Sequence, residues 1–143
     1  MLILSNFYYF CTQNMKRKIY TILMMIALLV SCQETLEERA EREAHDYTEK
    51  HCPAPIAYQV TMDSMTFDKA SHIFAYHYSL SGTLDDSTTI SQNDPREMLL
   101  QQVKNSTNLK IYKDAGYGFR YVYHSEKNKT TLFDVTFEQK DYK

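Results

Sequence analysis

Two stretches of this chain alternate aromatic and other residues with a period of two, and they decide most of what it can fold into. From His72 to Leu80, Phe74, Tyr76, Tyr78 and Leu80 fall on one side, and Ile73, Ala75, His77 and Ser79 on the other. From Phe119 to His124, Phe119, Tyr121 and Tyr123 oppose Arg120, Val122 and His124. A helix repeats about every 3.6 residues and scatters such a set, whereas a strand collects it on one face. The absence of Trp beside 12 Tyr and 7 Phe agrees, because rings with polar tips suit a half-covered pleated sheet. Tyr76, Tyr78, Tyr121 and Tyr123 either line a groove that stacks on sugars or peptides, or form the core under helices. Their company of Phe74, Leu80 and Phe119 favours the core.

Gln33 to His51 reads as a helix. Thr35 with Glu38 makes a capping box, Glu37, Glu38 and Glu41 suit the positive end of the helix dipole, and Leu36, Ala40, Ala44 and Tyr47 share one narrow stripe. The helix either docks on a sheet or acts as a stalk; its second half is expected to dock and its first half to be the stalk. Pro53 and Pro55 end it. Ile56, Tyr58, Val60 and Met62 then alternate as a first strand that runs on to Phe67 past an irregularity at Asp63-Ser64, and Asp68 to Ser71 turns the chain into the second strand. Asp85 to Gln92 is a polar loop or short edge strand. Asp94-Pro95-Arg96-Glu97 opens a helix that runs to about Ser106 and buries Met98, Leu99, Gln102 and Val103. Leu109 to Tyr112 is a short strand or turn, and Thr131 to Glu138 closes a hairpin with Phe133, Val135 and Phe137 inward. The expected fold is a two-layer α+β domain in the order α-β-β-α-β-β, one antiparallel sheet of about four strands with two helices.

The amino-terminal region obeys a different logic. Lys16, Arg17 and Lys18 precede an apolar run from Ile19 to Val30, followed by Ser31 and Cys32, which is the order of an export signal. As a helix the run is about 18 Å long, short of a hydrocarbon core of roughly 30 Å. Leu29-Val30-Ser31-Cys32 resembles the lipobox of bacterial lipoproteins. That resemblance implies cleavage between Ser31 and Cys32, a diacylglyceryl group on the Cys32 thiol, and an acyl chain such as palmitate on the new amino terminus. Two or more such chains hold a protein stably on a membrane surface. The organisation read from the sequence is therefore an over-extended start over 1–14, a lipoprotein signal peptide over 15–31, a tether and amphipathic helix over 32–50, and one α+β domain over 51–143. Losing the leader leaves about 110 residues, enough for one domain. It also takes the formal charge from −2 to about −5, which makes nucleic acid and anionic lipid poor partners. Gln33, rather than Asp, after Cys32 favours the outer over the inner membrane. Cys11 precedes the signal and Cys52 is left single, either buried and inert or paired with another molecule.

Little in the sequence points to catalysis. There is no Gly-x-Ser-x-Gly elbow and no phosphate loop, Gly116-Tyr117-Gly118 opens a strand rather than a helix, and Asp85-Asp86 reads as a solvated pair. His45 and His51 are about 120° apart around a helix and do not share a metal easily. No catalytic residue, metal site or cofactor is expected. His77 and His124 meet only if their strands are neighbours; with Arg120 they make a candidate ligand face on the outward side of the sheet. Asp63-Ser64-Met65 and Asp86-Ser87-Thr88 resemble the tripeptide that directs O-glycosylation of exported proteins in the Bacteroidetes. Ser64 and Ser87 are thus candidate modification sites, both expected outside regular strand interiors.

Lys113-Asp114-Ala115-Gly116-Tyr117-Gly118-Phe119-Arg120-Tyr121-Val122-Tyr123, continued by Phe133-Asp134-Val135-Thr136-Phe137, resembles a family of small exported bacterial lipoproteins of Bacteroidetes type. The resemblance implies a two-layer α+β fold and brings no activity with it. Cysteines flank this unit in some relatives, but other residues hold those places here, so no disulfide carries over. The expected role is a lipid-anchored, non-catalytic interaction or accessory module that binds an envelope protein. The alternative is a binder of a small ligand or glycan on the outward face, with a small hydrolase behind it.

Overall fold

The computed structural model describes residues 34–92 and 94–143. Residues 1–33, which hold Met15, the leader and the lipobox with Ser31 and Cys32, lie outside the described residues. Thr35 and Glu38 form the capping box expected from the sequence: Glu38 N donates to Thr35 Oγ1 at 3.1 Å, and Thr35 N to Glu38 Oε2 at 2.9 Å. Helix α1 (Leu36–His51) follows and buries Ala40 and Ala44, with Leu36 packed beside them. It docks through both halves, where the sequence favoured a stalk-like first half. Small alanines at the contact let the helix lie close to strand β2 (Val60–Asp68).

Thr48 completes that contact. Its hydroxyl donates to Met65 O at 2.7 Å and accepts from Met65 N at 2.8 Å. β1 (Ala54–Ala57) pairs β2 only as far as Met62, so Thr48 takes the place of a missing neighbour strand at Met65. Thr48→Val keeps the shape and leaves two part-buried backbone groups unpaired, an expected loss of about 1–3 kcal/mol. Urea unfolding checks it, as a lower midpoint at unchanged slope.

The sheet comprises β1, β2, β3 (Ile73–Leu80), β4 (Gly118–Ser125) and β5 (Thr131–Phe137), in that spatial order. Neighbours are antiparallel except β3 and β4, which are parallel. A mixed five-stranded sheet therefore replaces the expected antiparallel sheet of four strands. The extra strand arises at Tyr58-Gln59, where the alternation continues but the chain reverses. Gln59 takes φ 61, and its side-chain Oε1 accepts from Thr83 N at 3.1 Å and Thr83 Oγ1 at 2.8 Å. The irregularity at Asp63-Ser64 is present as a register shift between Met62 and Ser64.

Parallel pairing requires a crossover, and the chain between β3 and β4 supplies it with α2 (Ser87–Gln92), α3 (Arg96–Asn105) and α4 (Lys110–Asp114). With α1 and the terminal α5 (Gln139–Tyr142) these make five α-helices among the described residues, where two were expected. Asp86 starts α2 by accepting from Thr89 N at 3.0 Å, so the polar stretch read as a loop is a short helix. Asp94 Oδ1 accepts from Arg96 N at 3.1 Å at the start of α3. Only Leu99 and Val103 of α3 are buried; Met98 is 64% exposed and Gln102 is also exposed, against expectation. Leu109 to Tyr112 enters α4 instead of a strand. Lys113 Nζ ties α4 back to α3 through Val103 O and Lys104 O, each at 2.8 Å. Gly116, at φ 83, ends α4 in the left-handed conformation that glycine adopts at least cost.

Candidate functional site

Parallel pairing of β3 with β4 sets the two aromatic alternations side by side: Phe74 opposite Phe119, Tyr76 opposite Tyr121, Tyr78 opposite Tyr123. The rings stack across the strands with centroids 6.2, 5.0 and 4.8 Å apart. One end of this ladder is roofed, since Tyr112 stands edge-on to Phe74 at 4.7 Å and Tyr142 edge-on to Phe119 at 5.7 Å. The tyrosine end is open. A cavity of about 570 Å³ lies over Tyr76, Tyr78 and Tyr121, walled by Tyr47 of α1 and by Gln102, Ser106 and Leu109. A second, of about 340 Å³, continues over Tyr78, Tyr123 and Phe133 beneath Met98 and Ile90. Ile56, Tyr78 and Gln102 line both, so the two form one groove.

The lining mixes apolar and aromatic side chains with the neutral polar Gln102, Ser106 and Asn108. Among the described residues no Asp, Glu, Lys, Arg or His lines either cavity. Met98, Ile56 and Tyr47, exposed by 64, 52 and 37%, stand along it. Burial raises the pKa of Tyr76, Tyr78 and Tyr121 and pushes Tyr123 up to about 12, so the phenols stay neutral. None of these four hydroxyls has a protein partner among the described residues. The floor therefore offers ring faces for apolar contact and free hydroxyls for hydrogen bonds. Core and cavity, set apart as alternatives in the sequence, share these rings. Their lower parts pack in the core and their tips meet the cavity.

The outward face brings together the three residues singled out there. His77 lies opposite Val122, with Arg120 opposite Ala75 and His124 opposite Ser79, so all three occupy adjoining places on β3 and β4. The His77 and His124 rings are parallel to within 8° at a centroid separation of 6.0 Å. Arg120 is committed to Asp134, donating from Nε to Oδ1 at 2.9 Å and from Nη2 to Oδ2 at 2.5 Å. That pairing holds the Asp134 carboxyl below its usual range. Burial, then the neighbouring His124 and Arg120, hold the pKa of His77 below its ordinary value, while Asp63 and Asp134 pull the other way. The cavity on this face is about 250 Å³, lined by His77 and Arg120 with Thr66, Ser71, Ile73 and Ala75.

The remaining candidates separate. Ser64 lies within β2, half-buried and opposite His77, contrary to the expected position outside a strand. Ser87 is exposed at the first position of α2. His51 lies against Tyr47, the rings tilted by 46° at 5.1 Å, away from any grouping with His45. His45 instead gathers with Asp46 and Glu49, their potential ligand atoms within 4.8 Å of one another, a grouping at i, i+1 and i+4 rather than a pair of histidines. Cys52 is a half-buried thiol whose pKa burial raises, as an unreactive cysteine requires.

A family profile described as a domain of unknown function, DUF8479, matches residues 35–133. The chain belongs to this family. The DUF8479 match runs from the cap of α1 to Phe133 in β5, and so takes in the walls and floor of the groove. Two solved structures share the fold. One is a Pseudomonas aeruginosa protein described as secreted, 15% identical, covering 76% of this chain and 93% of its own, with a TM-score of 0.65. The other is the pilotin of the Vibrio vulnificus type 2 secretion system, 12% identical, covering 76% and 92%, with a TM-score of 0.52. At these identities the likeness is one of fold. No curated protein matches the chain.

Proposed function

We propose that this DUF8479 protein is a lipid-anchored, non-catalytic accessory of the cell envelope that holds an apolar face of another envelope protein in the tyrosine-floored groove. The observation that carries the reading is the groove itself: an open channel, uncharged among the described residues, with Met98, Ile56 and Tyr47 exposed along it and four tyrosine hydroxyls in its floor that have no partner among those residues. Contiguous apolar surface of this kind marks an interaction site. Exposed aromatic rings with polar tips suit a partner whose buried side is apolar and whose backbone or hydroxyl groups still need hydrogen bonds. The lipobox-like Leu29-Val30-Ser31-Cys32 supports attachment to a membrane through a lipid on Cys32, and Gln33 after the cysteine favours the outer membrane in this reading. The fold shared with a secretion-system pilotin is consistent with an accessory role. Among the described residues no helix is long and apolar enough to cross a membrane.

A photo-crosslinking residue at Met98 tests the reading against the same residue at Thr136. Thr136 pairs with Arg120 on β4, and its side chain belongs to the outward face. In cells the Met98 probe is expected to capture one protein band that the Thr136 probe does not, and Ile56→Asp is expected to abolish that band. Equal capture from both positions, or none from Met98, removes the groove as the binding surface.

A further inference from the structure

The outward face holds a second constellation that the groove does not use. His77 and His124 stand on β3 and β4, which are neighbours within a five-stranded sheet and flanked by β2 and β5, so their backbones are held on both sides. Zinc binds an imidazole nitrogen at about 2.0–2.1 Å, which puts the metal roughly 3.2 Å from the ring centre; two imidazoles on one ion then have centres about 5 to 6.4 Å apart. A tetrahedral ion sets the centres near the lower end of that span, and the observed 6.0 Å is within about 1 Å of it. The parallel rings do not yet aim their nitrogens at a common point. Bringing them to a common point takes rotation about both χ1 and χ2, torsions that leave the strands in place.

The nitrogens are also uncommitted. Among the described residues neither ring nitrogen of His77 has a hydrogen-bond partner, and His124 engages only Nδ1, with Thr131 Oγ1 at 3.4 Å. The charges around the pair are mixed, Asp63 and Asp134 favouring a cation and Arg120 opposing it. Asp63 is set at the β2 bulge, where its Oδ2 accepts from Ser79 Oγ at 2.6 Å. The Arg120 guanidinium is already neutralised by Asp134. We propose that His77 and His124 form a binding site for a first-row divalent cation of the zinc type, with water completing the coordination and the Asp63 carboxylate, which also accepts from Ser79, supplying negative charge beside it. Imidazole nitrogens favour zinc, copper and nickel, whereas magnesium and calcium require sets of oxygen ligands. The rival grouping, His45, Asp46 and Glu49 on α1, has a single nitrogen, and Lys50 Nζ already donates to its Asp46 at 2.8 Å.

The test is calorimetric titration of the metal-stripped full chain in detergent with zinc chloride. One ion per chain is expected. His77→Gln and His124→Gln should each weaken binding by roughly tenfold or more, and the double variant should abolish it. His45→Gln should leave the titration unchanged, and all variants should keep the parent melting temperature, which separates loss of a ligand from loss of fold. Imidazole nitrogen resonances of His77 and His124 should shift on zinc addition. Absence of zinc binding to the parent, retained binding in the double variant, or loss on His45→Gln alone overturns the proposal. None of these outcomes depends on what the groove holds.

Discussion

Phe119→Ala is expected to cost the domain about 3–5 kcal/mol, out of the roughly 5–15 kcal/mol that holds a domain of this size together. Phe119 is fully buried, stacks on Phe74 across the parallel junction, and takes Tyr142 edge-on. Truncation opens a cavity where β3, β4 and the carboxy-terminal helix meet, and rigid strands on both sides of β4 leave little room for collapse. Chemical denaturation should show the loss as a large fall in the unfolding midpoint. Tyr58→Ala is the control. Tyr58 is 84% exposed in the β1–β2 turn, and its removal should leave the midpoint almost unchanged. Comparable losses at the two positions mean that the centre of the fold is not where the ring ladder puts it.

The second large effect is expected at Cys32, in the stretch that resembles a lipobox. In cells fed a clickable fatty acid, the wild-type protein is expected to carry label and Cys32→Ser to carry none, while Cys52→Ser stays labelled. The intact mass of the wild-type protein should correspond to a chain beginning at Cys32 with diacylglyceryl and acyl groups added. The contrast should be complete, because no other side chain can take the place of that thiol in forming the thioether. With two or more chains attached the protein stays with membranes; without them the domain presents only its acidic surface. Label retained in Cys32→Ser, or a leader still present in the wild-type protein, removes the anchor from the proposed function.

The strands were the most legible part of the fold because each second residue of β3, β4 and β5 must face the same way, and the ring pattern states which way. The cap of α1 was legible for a similar reason: Thr35 and Glu38 answer each other over three residues, and the required bonds are local. What escaped depends on distance along the chain. Alternation through Ile56, Tyr58, Val60 and Met62 persists across the turn at Gln59, and only the grip of that side chain on Thr83 marks the reversal. α2 contains one large apolar residue, Ile90, too little for any period to appear. Nothing local says whether two hairpins join edge to edge or remain apart, and parallel pairing of β3 with β4 is a statement about their edges. The same pairing brought His77, Arg120 and His124 together, so that face was readable as residues and not as a site. The groove was half-readable. Its tyrosine floor is written in the strands, but its open roof follows from where α1 and α3 stand.

The parallel junction also divides labour between segments of the chain. Floor and frame are supplied by residues before Leu80 and after Gly118, while one wall, from Leu84 to Leu109, belongs to the crossover alone. Lengthening, shortening or recolouring that excursion can reshape what the channel admits without disturbing a single rung of the ladder beneath. A scaffold wired this way can exchange its clientele by altering one loop-like insert while its foundations keep the same plan.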